Sequence, residues 1–177
     1  MSETAYLYAD SAPYPPIQVC GRNPRYASAI LSNVGACNSE ISAVSLYFYN
    51  SLVTREYGGD ISECFHHVSI VEMHHLDIFG QLALLLGADP RLWSAVGGRH
   101  PTYWTPACNR YPRPLKALLD NAIRGEEEAI RKYRQQAEWI QDPHLVANLD
   151  RIILDEEHHI QIFHELYTTY VGGCPQE

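Results

Sequence analysis

The sequence has few basic side chains and no long apolar run. It contains 13 Lys and Arg against 21 Asp and Glu, which gives a net charge of −8. Because nucleic-acid affinity comes from cations that neutralise phosphates, this balance argues against a nucleic-acid partner. No apolar run approaches the roughly 20 residues that span a bilayer, and the acidic start lacks the basic and apolar blocks of a secretory signal. We therefore expect a cytoplasmic protein with no membrane partner.

Closely spaced cysteine pairs are also absent. The five cysteines are Cys20, Cys37, Cys64, Cys108 and Cys174, and no two of them form a C-x-x-C pair. A zinc or iron–thiolate knuckle, which uses such pairs, is therefore not expected. An odd number of widely spaced cysteines is typical of reduced thiols in a cytosolic protein.

Strand signals are nearly absent, and helix signals dominate the chain. Residues 1–22 are rich in Pro and Tyr and predict an extended N-terminal arm. Caps, prolines and glycines then predict four helices, over residues 23 to about 57, 60 to about 86, 114 to about 141, and 142 to about 170. The second start rests on Asp60-Ile61-Ser62-Glu63, which is close to a capping box.

The lengths of these helices favour a bundle, in which each helix packs against its neighbours along its whole length. The connection over residues 87–113 is long enough to carry the third helix to the far side of the bundle. The sequence thus predicts an all-α fold, a four-helix bundle over residues 23–171 with a long crossover between the second and third helices. A short tail, 172–177, follows.

The pattern Glu-x-x-His occurs three times, at Glu63/His66, Glu72/His75 and Glu156/His159. At about 100° per residue, helical faces separate the three pairs. The second and third pairs lie inside apolar stripes, where charge is costly unless it is paired or bound to a metal. The first pair lies about 180° from the stripe of its helix and is predicted to face outward.

The other two helices each bring one carboxylate to an apolar stripe. Glu40-x-x-Ala43-x-x-x-Tyr47 in the first helix corresponds to Glu126-x-x-Ala129-x-x-x-Tyr133 in the third. The chain therefore contains an internal two-fold repeat of a helix pair, although a slip from Glu126 to Glu127 stays open. Tyr47 and Tyr133 are candidate catalytic residues that hydrogen-bond ligand carboxylates or take part in redox steps. The alternative is that they are ordinary core aromatics with satisfied hydroxyls.

Four carboxylates and two imidazoles form a ligand set that suits two Fe or two Mn ions, and two Zn ions less well. The predicted metal ligands are Glu40, Glu72, His75, Glu126, Glu156 and His159. The alternative is a set of structural buried ion pairs, but four carboxylates in one layer would repel strongly without cations.

These residues resemble the ferritin-like superfamily, and within it rubrerythrin-like proteins. The matching segments are Glu40, Glu72-Met73-His74-His75, Gly125-Glu126 and Glu156-Glu157-His158-His159. The resemblance implies a di-iron or di-manganese centre and redox chemistry with peroxide or O₂. The sequence departs from full rubrerythrins in two respects: it has no C-x-x-C module to supply electrons, and Ala129 stands where some members use a further glutamate.

The sequence leaves three functions open. The first is a di-metal oxidoreductase, catalase- or peroxidase-like, that acts on a small oxidant and assembles as a homo-oligomer; a manganese-catalase-like reaction needs no external electron donor. The second is an iron-oxidising, iron-storing protein. The third is a structural coat-type protein that keeps the bundle and has little activity.

Overall fold

A computed structural model describes residues 8–95 and 100–172. Within these ranges the α-helices are α1 (Pro24–Gly35), α2 (Glu40–Val53), α3 (Gly59–Leu85), α4 (Leu115–Trp139) and α5 (Pro143–Tyr170). Helices α1 and α2 both pack along α3, and α4 packs along α5. Taken together, α1 and α2 fill the place of one bundle helix, so the predicted four-helix architecture is confirmed.

The described part of the crossover between α3 and α4 has little regular structure. Two short antiparallel strands, β1 (Trp93–Ser94) and β2 (Thr102–Tyr103), pair within it. The indole of Trp104 donates a hydrogen bond to Ser42 Oγ at 2.8 Å, and Trp93 packs against the bundle core. The crossover is therefore held against the α1–α2 side of the bundle.

The prediction of one continuous helix over residues 23 to about 57 is wrong, because the helix is broken in the middle. Helix α1 ends at Gly35 and α2 begins at Glu40. The crossover backbone passes so close that a Cβ on Gly35 would lie 2.2 Å from the amide nitrogen of Trp93. The break has a consequence for the site, because it places Glu40 in the first turn of α2, where the helix dipole favours a negative charge.

Two of the three predicted helix starts with capping side chains are confirmed. The Asn23 side chain accepts hydrogen bonds from the amides of Arg25 and Tyr26, and Asp142 accepts one from the amide of His144. The predicted capping box at Asp60 is wrong: α3 begins one residue earlier, and Gly58, at φ 124°, precedes it without a side-chain cap. Only glycine adopts this backbone angle readily, so the start of α3 depends on the backbone conformation of Gly58 and not on a capping side chain.

The prediction that the cysteines are all reduced is wrong for one pair. Cys37, in the α1–α2 break, and Cys108, in the crossover, form a disulfide with a Cα–Cα distance of 4.8 Å. The two residues are 71 positions apart, so only the folded path of the crossover brings them together. Cys20 and Cys64 are free thiols, and Cys174 lies outside the described residues, as does the predicted tail after Gly172.

The core consists of two apolar clusters with a polar layer between them. One cluster includes Ile30, Phe79 and Leu149, and the other includes Leu46, Phe65 and Phe163. Full burial of side chains of this kind stabilises a fold by roughly 1.5–3 kcal/mol each, which offsets the cost of burying charged groups in the layer between. Among the described helices, none combines the length and apolar character needed to cross a bilayer.

Candidate metal centre

The six residues singled out in the sequence lie together in the polar layer. Each is at most 2% exposed, and they come from four bundle positions: Glu40 from α2, Glu72 and His75 from α3, Glu126 from α4, and Glu156 and His159 from α5. The pair predicted to face outward does so, since Glu63 and His66 are exposed, and Glu127, the alternative to Glu126, is exposed as well. Helical facing therefore separated the inward pairs from the outward one.

The six side chains form two overlapping groups. One group contains Glu40, Glu72, His75 and Glu156, and the other contains Glu72, Glu126, Glu156 and His159. Within each group, one ligand atom from every residue lies within 4.8 Å of the others. Glu72 and Glu156 belong to both groups, so they are placed to bridge two ions, while Glu40 and Glu126 each serve one group.

The two imidazoles present the same nitrogen to the carboxylates. Nδ1 of His75 lies 3.3 Å from Glu72 and 3.3 Å from Glu156. Nδ1 of His159 lies 3.0 Å from the same two carboxylates. The Nε2 atoms point away from the group, to Asp155 for His75 and to the carbonyl of Tyr8 for His159, at 2.9 Å in both cases.

Asp155 is a buried acid beside the candidate ligand His75 that the sequence reasoning missed. It is fully buried and accepts hydrogen bonds from His75 Nε2 at 2.9 Å, from Arg151 at 2.7 Å and from the backbone amide of Asp10 at 2.7 Å. The hydroxyl of Tyr14 also donates to it. An acid four residues after Arg151 was a visible signal, but Asp155 lies about 100° around the helix from Glu156, and its spacing from Arg151 is typical of an ordinary i,i+4 ion pair.

The two tyrosines pair with ligands of the opposite repeat. The Tyr47 hydroxyl donates to Oε1 of Glu126, and the Tyr133 hydroxyl donates to Oε1 of Glu40. Both tyrosines are buried. Burial raises the pKa of each phenol well above its ordinary value, and the neighbouring carboxylates raise it further. Both hydroxyls therefore remain protonated donors over the physiological range.

The carboxyl groups of the layer differ in the direction in which their pKa values are shifted. Burial raises the pKa of Glu40 and Glu126 well above the ordinary carboxyl value, and the charges of the two shared carboxylates raise it further. Burial alone would also raise the pKa of Glu72, but hydrogen bonds from His159 and His75 lower it. The pKa of each imidazole is raised by the carboxylates in spite of burial, which by itself lowers it. Protons thus balance the charge of the layer, and divalent cations would compete with them.

The donor set fits a pair of cations. Glu72 Oε1 and Glu156 Oε1 are buried and accept no hydrogen bond, although each has an imidazole Nδ1 within 3.3 Å. A buried carboxylate oxygen without a partner is costly. Both oxygens belong to the carboxylates that the two groups share, where a bound cation would satisfy them. The oxygen-rich set with one nitrogen per group is of a kind that iron and manganese accept.

A cavity of about 320 Å³ reaches this layer from the side between α2 and α4. Its lining includes Glu40 and Glu126, both tyrosines and the disulfide, and the guanidinium-bearing residues Arg110 and Arg124. The cavity therefore gives small molecules a route to the carboxylates that serve one group each.

Comparison with solved structures identifies the fold. The structure is similar to that of a manganese catalase from Anabaena, with a TM-score of 0.82 and 18% identity over 97% of this chain and 84% of that one. For bacterioferritin from Rhodobacter capsulatus the TM-score is 0.71, with 21% identity over 88% of this chain and 91% of that one. For bacterioferritin from Mycobacterium tuberculosis the TM-score is 0.66, with 20% identity over 84% of this chain and 89% of that one. At these identities the likeness shows the fold alone, and it confirms the predicted ferritin-like bundle.

Sequence comparison identifies the family. No curated protein shows significant sequence similarity to the chain. Residues 34–167 match the family model of rubrerythrin. That range covers more than half of the chain and contains all six candidate ligands. Together with the two groups of ligand atoms, it supports a di-metal site in this bundle. The chain therefore belongs to the rubrerythrin family.

Proposed function

We propose that the protein is a di-metal oxidoreductase that uses two Mn or two Fe ions and acts on peroxide or O₂. The ligands in this proposal are Glu40, Glu72, His75, Glu126, Glu156 and His159. The observation that carries it is the pair of overlapping ligand groups that share Glu72 and Glu156 and open onto a cavity large enough for a small oxidant.

The ions would supply electrons and open coordination positions for the oxidant. Glu72 and Glu156 would contribute to the binding of both ions, and the other four residues to the binding of one ion each. Their combined charge would keep the ions in place as the oxidation states change. The two apolar clusters on either side of the layer would exclude bulk water, which strengthens every electrostatic interaction inside it.

Tyr47 and Tyr133 would act as proton-holding groups next to the oxidant. Each hydroxyl already donates to a carboxylate that lines the cavity. Since their pKa values are raised by burial and by those carboxylates, they would stay protonated until a stronger base forms nearby. A catalytic role for the two tyrosines is part of this proposal.

Disproportionation of peroxide, as in a catalase, is favoured over a donor-dependent peroxidase reaction. These 177 residues contain no C-x-x-C pair of the kind that holds an iron–thiolate electron donor. Ala129 lines the cavity at the position where some rubrerythrins carry a further glutamate. A reaction in which peroxide is both oxidant and reductant requires neither feature.

The test is oxygen evolution from hydrogen peroxide by protein loaded with Mn²⁺ or Fe²⁺, with and without an added reductant. We expect oxygen release without a reductant, and loss of that release in the Glu72→Gln variant. Glu63→Gln serves as the matched control because Glu63 belongs to the outward-facing Glu-x-x-His pair. Protein that binds two ions yet consumes no peroxide under either condition would contradict the proposal.

Iron storage is the second candidate, because the fold is also similar to two bacterioferritins. Storage requires a closed shell of many subunits, whereas an oxidoreductase can work as a dimer or another small homo-oligomer. Exposed apolar side chains such as Ile70, Met73 and Leu84 on α3, which are 53–60% exposed, support assembly of some kind. Native mass combined with iron retention separates the two functions.

The proposed location of the protein is the cytoplasm.

A further inference from the structure

The N-terminal arm reaches the outer side of the candidate metal centre. The backbone carbonyl of Tyr8 lies 2.9 Å from Nε2 of His159. Because a carbonyl can only accept a hydrogen bond, Nε2 of His159 carries the proton. In the neutral ring, Nδ1 then carries the lone pair, and it lies 3.0 Å from Glu72 and Glu156. One contact from the arm thus determines which nitrogen of this ring can bind an ion.

The arm acts on the second imidazole through Asp155. The backbone amide of Asp10 donates to Oδ1 of Asp155 at 2.7 Å, and the Tyr14 hydroxyl donates to its Oδ2. That same Oδ2 lies 2.9 Å from Nε2 of His75. Asp155 therefore stands between the arm and His75, and the arm supplies two of the hydrogen bonds that orient it.

Arg151 ties the arm to α5 at the same point. Its guanidinium donates to the carbonyls of Ala12 at 2.7 Å and Asp10 at 2.8 Å, and to Asp155 at 2.7 Å. It also lies 4.0 Å from the ring centroid of Tyr14, a cation–π distance. Arg151 is 5% exposed, so these contacts are shielded from water and salt. The arm segment 8–14 is thus held by charge-assisted hydrogen bonds that converge on the support of the imidazoles.

We propose that the N-terminal arm is a positioning element of the metal centre, which holds Nε2 of both histidines so that each Nδ1 faces the ions. This inference rests on the ligand set proposed above but not on the reaction. Outer partners of ligand imidazoles orient the ring and raise its basicity, and their removal typically lowers metal affinity about 10- to 100-fold. By linkage, docking of the arm and binding of the ions must then stabilise each other.

The two ions should depend on the arm differently. His75 is supported by a carboxylate that Tyr14 and Asp10 orient, whereas His159 is supported directly by a backbone carbonyl. Loss of the Tyr14 hydroxyl therefore affects the group that contains Glu40 and His75. The group that contains Glu126 and His159 retains its outer contact.

The experiment measures Mn²⁺ affinity in the full-length chain by competition with a chelator. Tyr14→Phe removes the hydroxyl and keeps the ring over Arg151, and we expect about a 10-fold or greater loss of affinity for one of the two ions. Tyr26→Phe is the matched control, because the Tyr26 hydroxyl accepts a hydrogen bond from the Gln141 amide and its ring packs on Trp139, away from the ligand layer. That control should bind both ions as the wild type does.

Hydrogen exchange of the wild-type chain gives a second test that needs no variant. Addition of Mn²⁺ should slow exchange in peptides that contain the Asp10 amide, which donates to Asp155. Peptides that contain the Cys20 amide, which donates to Asp142 at 2.7 Å, should be unaffected. Equal affinity in Tyr14→Phe, or no protection of Asp10 on Mn²⁺ addition, overturns the role of the arm and leaves the proposed function standing. Failure of the wild type to bind Mn²⁺ or Fe²⁺ overturns both.

Discussion

The hydroxyl of Tyr133 on α4 donates a hydrogen bond to the carboxylate of Glu40 on α2. Its counterpart Tyr47 on α2 donates to Glu126 on α4. Each helix of the repeat therefore supplies a carboxylate to one ligand group and a hydroxyl to the carboxylate of the other. This reciprocal exchange couples the two halves of the repeat across the cavity.

Removal of one hydroxyl should weaken one ion more than the other. Tyr133→Phe leaves Glu40 without its donor, and we expect about a 10-fold loss of affinity for the ion beside Glu40. Tyr47→Phe should do the same for the ion beside Glu126. Two-site Mn²⁺ binding isotherms measure both constants. Tyr49→Phe is the control, since Tyr49 makes a ring contact with Tyr111, 4.9 Å between centroids, outside the centre. Equal loss at both ions in either variant would contradict the pairing.

Substitution of Gly35, at the break between α1 and α2, and of Gly80, inside α3, should change the stability of the fold in opposite directions. Gly35→Ala would bring a Cβ within 2.2 Å of the Trp93 backbone, and overpacking of this kind costs roughly 1–3 kcal/mol. Gly80, inside α3, has open space where an added Cβ would lie, with nothing within 4 Å. Gly80→Ala should therefore stabilise the helix by about 0.5–1 kcal/mol. Urea unfolding measures both, and equal stabilities of the two variants would argue against close passage of the crossover.

The disulfide between Cys37 and Cys108 should contribute to stability. It closes a loop with a sequence separation of 71, for which chain entropy gives an upper value of about 4 kcal/mol. Cys37→Ser should lower the free energy of unfolding by up to that amount, while Cys20→Ser, at an exposed free thiol, should leave it unchanged. If a reductant and Cys37→Ser both leave the unfolding transition where it was, the crossover is not held by this bond.

Helical periodicity was sufficient to predict which glutamates and histidines lie together in the buried layer. Glu72 and Glu156 were recognised because a charge inside an apolar stripe needs a compensating partner, and the same rule rejected Glu63. The bundle followed from helix length and from the long crossover. The facing of these residues and the helix lengths depend on spacing within one helix, or on the repeat of a helix pair. A single sequence contains this information.

The features that periodicity missed depend on contacts between distant segments. The helix break at Gly35 is caused by the crossover backbone near Trp93, and the disulfide joins the same two regions. The role of Asp155 depends on an arm that has no regular period. Tyr14 and Asp10 reach it from more than 140 positions away. Each of these contacts becomes visible only when the whole chain is folded.

Glu72 belongs to both ligand groups, and the proposed centre depends on this sharing. Metal analysis of Mn²⁺-loaded wild type, Glu72→Gln and Glu63→Gln tests it most directly. We expect about two ions per chain, as in other carboxylate-bridged bundles, in the wild type and in Glu63→Gln, and loss of both ions in Glu72→Gln. A Glu72→Gln protein that retains both ions, or a wild type that binds none, would contradict a centre built on this carboxylate.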